Sequence, residues 1–240
     1  MRECSIRRCL RNGLLCLVLA LPLVINSCAT STEPLFNLNG SSFYVYHSVN
    51  GTAGVLGPDL FAFNQSSNEI TGTTPDGLAF AGTVTGLNIS WSWLGSDNYE
   101  YTYTGTLSSD GNTMSGIWSN TNAQAGNFNA IIQVAPPVNI SGQWNIFQAP
   151  AGAPQEGPYL YVFTQSGYTL TGTTQLDIPI LGNIGAEDVL FYWTGSDGVT
   201  YFYTGTITSN PNAPTVVTGI VGTYSGSNGQ LGTWTATPTS

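Results

Sequence analysis

The side chains equipped for chemistry in this chain are aromatic, hydroxylic and acidic, and most of them recur at one interval. Trp91, Trp93, Tyr101 and Tyr103 stand in the stretch Trp91-Ser-Trp-Leu-Gly-Ser-Asp-Asn-Tyr-Glu-Tyr-Thr-Tyr-Thr-Gly-Thr106; Trp193, Tyr201 and Tyr203 hold matching places 100 positions later. The chemistry such a set supports is recognition. Ring faces take up apolar surface and tyrosine hydroxyls supply polar contacts. The plainer use of the same rings is core packing, and both readings stay open from the sequence. Asp97 and Asp197 sit in matching Gly-Ser-Asp turns, where a carboxylate accepts local backbone N–H groups. A weak Ca²⁺ or sugar contact is the alternative there.

Catalysis is not expected. Glu187-Asp188 is a pair of acids, and glycosidases use two carboxylates, but adjacent residues at a strand end point to opposite faces. His47 has no counterpart in the second copy and no acid or Cys close to it in sequence, so it reads as a lone strand histidine. Serines are abundant, yet no Gly-x-Ser-x-Gly elbow has a histidine to serve it. No glycine-rich phosphate loop opens a helix. No cofactor and no metal site is expected.

Charge narrows the partners further. The only basic residues are Arg2, Arg7, Arg8 and Arg11. Of 13 acids only Glu3 precedes Cys28, so 12 acids and no Lys or Arg follow it, a net charge near −12. Nucleic acid is excluded as a partner, because its phosphates are held by Lys and Arg. Bidentate capture of anions by Arg and any catalytic Lys are excluded with it.

The elements that must position the aromatic rows are strands. Thr, Tyr, Trp, Val and Ile dominate and no helical period stands out. Match at one fixed offset makes the chain two copies of one unit. Each copy reads as eight short strands: 41–48, 59–65, 69–74, 79–85, 89–94, 100–107, 113–118 and 126–133 in the first, and 140–148, 159–165, 169–175, 178–184, 189–194, 200–208, 216–224 and 231–237 in the second. Turn formers such as Gly95-Ser-Asp97, Asp110-Gly111 and Ser227-Asn-Gly229 separate them. Hairpin-length connections favour an up-and-down meander, and closure of the eighth strand on the first removes both sheet edges. The expected fold is therefore all-β, with two tandem eight-stranded antiparallel barrels at 37–133 and 139–238. Residues 134–138, Val-Ala-Pro-Pro-Val, form a stiff linker between them, with no shared core expected across it. Alternation places Trp91, Trp93, Tyr101 and Tyr103 inside and Thr102, Thr104 and Thr106 outside, with Thr200, Thr204 and Thr206 outside in the second copy. A membrane-spanning barrel needs the reverse, so these barrels are expected to stand in water. If the inner rows line a wet pocket, loss of the Tyr103 or Tyr203 hydroxyl is expected to cost little.

Ahead of the barrels, residues 1–27 read as an export signal. Four arginines precede the 12-residue apolar run Leu14–Ile25, which is too short to cross a bilayer comfortably. The run ends in Ile25-Asn26-Ser27-Cys28, which resembles the lipobox of bacterial lipoproteins. That resemblance implies cleavage before Cys28 and acylation of its amine and thiol, palmitate included. A plain secretory signal with an incidental Cys is the alternative. Ala29 rather than Asp follows Cys28, which by the same resemblance directs the protein to the outer membrane, on its periplasmic or cell-surface side. Residues 28–36 are then a tether. Cys4, Cys9 and Cys16 leave with the signal, so no disulfide is available. Gly142-Gln-Trp144, Leu170-Thr-Gly-Thr173 and the Trp193 strand are similar to the strand grammar of lipocalins and avidins. The fold this implies is a calycin-type meander barrel; biotin binding is not implied, since only Trp144-Asn145 matches. The expected function is a non-enzymatic, membrane-anchored envelope protein. Either it binds a small apolar, aromatic or glycan ligand in its barrels, or it is a structural or adhesive surface component with filled barrels.

Overall fold

A computed structural model describes residues 36–52, 54–136 and 138–239. The export signal, Cys28 and the tether up to residue 35 lie outside the described residues. What is described is all-β, with sixteen antiparallel strands and no helix. The first barrel runs β1 (Ser41–Ser48), β2 (Val55–Ser66), β3 (Glu69–Thr73), β4 (Ala79–Thr85), β5 (Asn88–Leu94), β6 (Glu100–Leu107), β7 (Thr113–Asn120) and β8 (Ala125–Ile132). The second runs β9 (Gly142–Pro150), β10 (Glu156–Ser166), β11 (Thr169–Thr173), β12 (Pro179–Gly185), β13 (Asp188–Thr194), β14 (Thr200–Asn210), β15 (Ala213–Gly226) and β16 (Leu231–Pro238). Each strand pairs with the next, and β8 with β1 and β16 with β9 close the two barrels. Closure leaves no free sheet edge to template aggregation.

Period-two alternation builds each interior. Trp91 pairs across the ladder with Tyr103, and Phe191 with Tyr203. All four rings are buried. Trp91 and Tyr103 stack at 4.8 Å and 17°, Phe191 and Tyr203 at 4.7 Å and 3°. Phe128 on β8 and Trp234 on β16 meet these stacks edge-on. The mid-strand glycines Gly105 and Gly205 make room for them. A Cβ at 105 would lie 2.8 Å from the Phe128 ring and one at 205 would lie 2.7 Å from the Trp234 ring. The interior is thus filled by close aromatic packing. Gly57 serves a different need, with φ +103° at the β1–β2 bulge, where a Cβ would meet the Val45 carbonyl at 2.5 Å.

The expectation that the polar face lies outside and that no core is shared across the linker meets a correction. Tyr46 and Ile131 of the first barrel, on its outer face, form a buried cluster with Leu190 and Phe202 on the outer face of the second. Tyr44, Val55 and Tyr192 pack against it, and the Tyr46 and Tyr192 rings meet edge-on at 5.6 Å. The Tyr46 hydroxyl donates to Asn183 Oδ1, and the Ala186 N–H donates to the Val134 carbonyl at 3.0 Å. Thr200, expected outside, is buried here at 1% exposure and receives the Gly54 N–H at 3.4 Å. The two barrels form one compact unit. The physical cause is visible on comparing the copies. Where the second has Leu190, Tyr192 and Phe202, the first has Ser90, Ser92 and Thr102. An outward apolar patch has no other way to leave water than to meet a partner.

Candidate functional site

The hairpins at one end of each barrel leave its mouth partly open. In the second barrel these are the turns β9–β10, β11–β12, β13–β14 and β15–β16. They enclose a cavity of about 380 Å³. Trp193, Tyr201, Tyr159 and Tyr161 supply its aromatic surface; Gln148, Gln175, Gln230, Glu156 and Asp197 supply its polar edge. Trp193 and Tyr201, paired on β13 and β14, pack ring to ring at 4.7 Å. Both are half-buried, so part of each ring faces the opening. The carboxylates are held in place: Glu156 accepts the Tyr159 hydroxyl at 2.9 Å and Asp197 accepts the Val199 N–H at 3.0 Å. The Gln148 amide donates to the Tyr203 hydroxyl at 2.7 Å, which anchors the floor. Burial pushes the Tyr161 phenol up to about 12 and Tyr203 higher still, so both remain neutral.

The mouth of the first barrel has the same plan and different chemistry. Its cavity is about 210 Å³, walled by Phe61, Trp93, Tyr101, Tyr103 and Trp118. Trp93 stacks on Tyr101 at 5.2 Å and on Tyr103 at 5.1 Å. Asp59, Asp76 and His47 supply its charge-bearing groups. The reading of His47 as a lone strand histidine is corrected here. Its Nδ1 lies 3.4 Å from Asp59 Oδ2, and its Nε2 lies 2.5 Å from the Tyr103 hydroxyl. The bulge between Val45 and His47 swings β1 so that the ring meets the carboxylate from β2. Burial pushes the His47 pKa down to about 4, which leaves the imidazole neutral at pH 7. With Asp59 ionised, Nδ1 carries the proton and the Tyr103 hydroxyl donates to Nε2. So weak a base is ill-suited to general-base work at neutral pH, and burial drives the Tyr103 phenol far above its ordinary range. His47 stands where the second barrel has Gln148. Two different side chains thus satisfy the equivalent tyrosine hydroxyls, Tyr103 and Tyr203.

The aromatic candidates separate into two groups. Trp93, Tyr101, Trp193 and Tyr201 line the mouths, and Tyr103 forms part of the floor of the first. Trp91 and Tyr203 lie deeper, at 1% and 0% exposure. Asp97 sits in a turn, accepting the Tyr99 N–H at 3.1 Å and the Tyr101 hydroxyl at 2.7 Å. Those bonds, Tyr101's foremost, hold its carboxyl below the usual range. Sequence reasoning missed Asp59, Asp76, Gln148 and Gln230. The signal for the first two was their departure from the repeat, since Asp59 replaces Tyr159 and Asp76 replaces Leu176.

No protein-family model matches the chain, and no curated protein matches it. Among solved structures it is similar to the agglutinin of Burkholderia oklahomensis at 16% identity, over 85% of this chain and 98% of that one, with a TM-score of 0.26. It is also similar to the Myxococcus xanthus hemagglutinin in complex with a3,a6-mannopentaose at 15% identity, over 82% and 99% of the two chains, with a TM-score of 0.23. Neither overlap is close.

Proposed function

We propose that this is a non-enzymatic envelope lipoprotein that binds a glycan at the mouth of its second barrel. Its anchor is the acylated Cys28 and its place the outer membrane, on the strength of the arginine-rich leader and the Ile25-Asn-Ser-Cys28 motif. The observation that carries the ligand reading is the composition of the second mouth. A sugar ring has apolar C–H faces and a rim of hydroxyls that both donate and accept. The half-open cavity of about 380 Å³ offers aromatic surface from Trp193 and Tyr201 for the first. For the second it offers amides that donate and carboxylates that accept, at Gln175, Gln230, Glu156 and Asp197. Below this mouth the barrel is filled, so the ligand sits at the rim rather than inside. The filled interiors also favour a second reading, a structural or adhesive surface protein that needs no small ligand.

The test is binding of the full chain, in non-ionic detergent, to an immobilised glycan panel, followed by calorimetry on the best sugar. Trp193→Leu and Gln230→Ala are each expected to weaken it by about tenfold, equivalent to one stacking contact or one neutral hydrogen bond. Absence of any sugar binding, or full affinity in the Trp193→Leu protein, leaves the structural reading.

A further inference from the structure

We propose that the mouth of the first barrel is a separate binding site for a small organic cation of the alkylammonium class. The case begins with what the cavity offers a ligand. Its walls are five aromatic rings: Trp93, Tyr101 and Trp118 in a roughly parallel row, Tyr103 beneath, and Phe61 set at 64° to Trp93. Its lining carries two carboxylates, and of its hydroxyls only that of Thr74, which accepts the Leu78 N–H, is not given to a partner. The Tyr101 hydroxyl is already given to Asp97, and the Tyr103 hydroxyl to His47. No amide lines the cavity, in contrast to the three glutamines of the second mouth. Asp59 and Asp76 are the charged groups left facing the cavity, and two carboxylates favour a ligand that brings the positive charge.

The described residues hold no Lys or Arg to supply it. No Lys or Arg follows Arg11, and the one histidine, His47, is held neutral by burial. Asp59 is 42% exposed, open to an incoming group, and its carboxyl is pushed up by burial and by the charge of Asp76. A cation between the two relieves that repulsion. The rings add attraction, because an ammonium within about 6 Å of an aromatic face is drawn to its quadrupole. Among the described residues no group of three His, Cys, Asp or Glu side chains is placed to hold a metal ion. A cavity of about 210 Å³ with apolar walls suits an ammonium that carries methyl groups better than a bare hydrated ion. The repeat strengthens the contrast, since both acids stand where the second barrel has the uncharged Tyr159 and Leu176. This site is independent of the glycan reading of the second mouth.

The test uses the full chain with choline as the probe and 3,3-dimethylbutan-1-ol, its neutral isostere, as the control. The indole N–H signals of the six tryptophans report which mouth responds. Choline is expected to shift the Trp93 and Trp118 signals saturably and to leave Trp193 unmoved. The alcohol is expected to bind about tenfold more weakly, as are Asp59→Asn and Asp76→Asn proteins for choline. Unchanged indole positions in the variants show that the fold is kept, and Asp76 lies in an exposed turn where substitution is benign. Equal binding of the alcohol, no saturable shift, a shift confined to Trp193, or full choline affinity in both variants overturns the proposal. Sugar binding that is lost in Trp193→Leu while choline binding persists separates the fate of the two sites.

Discussion

Replacing Asp188 with asparagine is expected to stabilise this acidic protein at neutral pH. Asp188 sits at the foot of β13, against the β6–β7 turn of the first barrel, and is 4% exposed. Its Oδ1 accepts the Thr206 hydroxyl at 2.8 Å. Its Oδ2 is buried close to Asn112 and the Asp110 carboxylate. Burial raises its pKa to about 6; Thr206 and Asn112 oppose the rise and Asp110 adds to it. An unfolded Asp titrates near 3.9. Between about pH 4 and 6 the folded protein therefore keeps a proton that the unfolded chain has lost, and stability falls as pH rises through that window. Two pKa units correspond to at most ~3 kcal/mol, and screening by nearby solvent brings the loss to ~1–2 kcal/mol. Asparagine has the same shape, cannot ionise and can donate to Asp110. The first barrel already has Asn88 at the matching place. The assay is urea denaturation of both proteins at pH 4, 5, 6 and 7.5. The variant is expected to match the parent at pH 4 and to exceed it by ~1–2 kcal/mol at pH 7.5, or a Tm higher by roughly 3–6 °C. A variant that is less stable at pH 7.5, or whose stability follows the parent's pH slope, refutes the reasoning.

Three further outcomes follow from the packing and one from the leader. Trp91→Ala is expected to cost ~3–5 kcal/mol and the half-exposed Trp193→Ala clearly less, in denaturant melts. Tyr103→Phe and Tyr203→Phe are expected to cost ~1–2 kcal/mol each, because His47 and Gln148 lose buried partners; this reverses the small loss that a wet row of tyrosines implies. Leu190→Ser with Phe202→Thr, which copies the first barrel's residues, is expected to destabilise the full chain by ~3–5 kcal/mol. The parent half, residues 139–240 expressed alone, is expected to self-associate on size exclusion through this patch, and the same pair is expected to keep it monomeric. Cys28→Ser is expected to move the protein from membranes to the soluble fraction on cell fractionation.

The repeat made most of the architecture legible. One offset joining Trp93 to Trp193 and Tyr103 to Tyr203, with turn residues between alternating runs, determines two copies of a strand meander. Strand side chains alternate with period two, so the inward rows follow from spacing alone. The total lack of Lys and Arg after Arg11 also needs no coordinates, and it sets the sign of any ligand the acids can hold. What spacing does not encode is where two distant strands meet. His47 and Asp59 lie twelve positions apart, and only the bulge in β1 brings ring and carboxylate together. Asp110 and Asp188 become neighbours only when the barrels dock. Nothing in their spacing announces that Leu190 and Phe202, on an outer face, are covered by Tyr46 and Ile131. A period reports which side of a sheet a residue faces, whereas the tertiary structure decides whether that side meets water, a ring or another barrel, and so which aromatic rows pack shut and which remain open at a mouth.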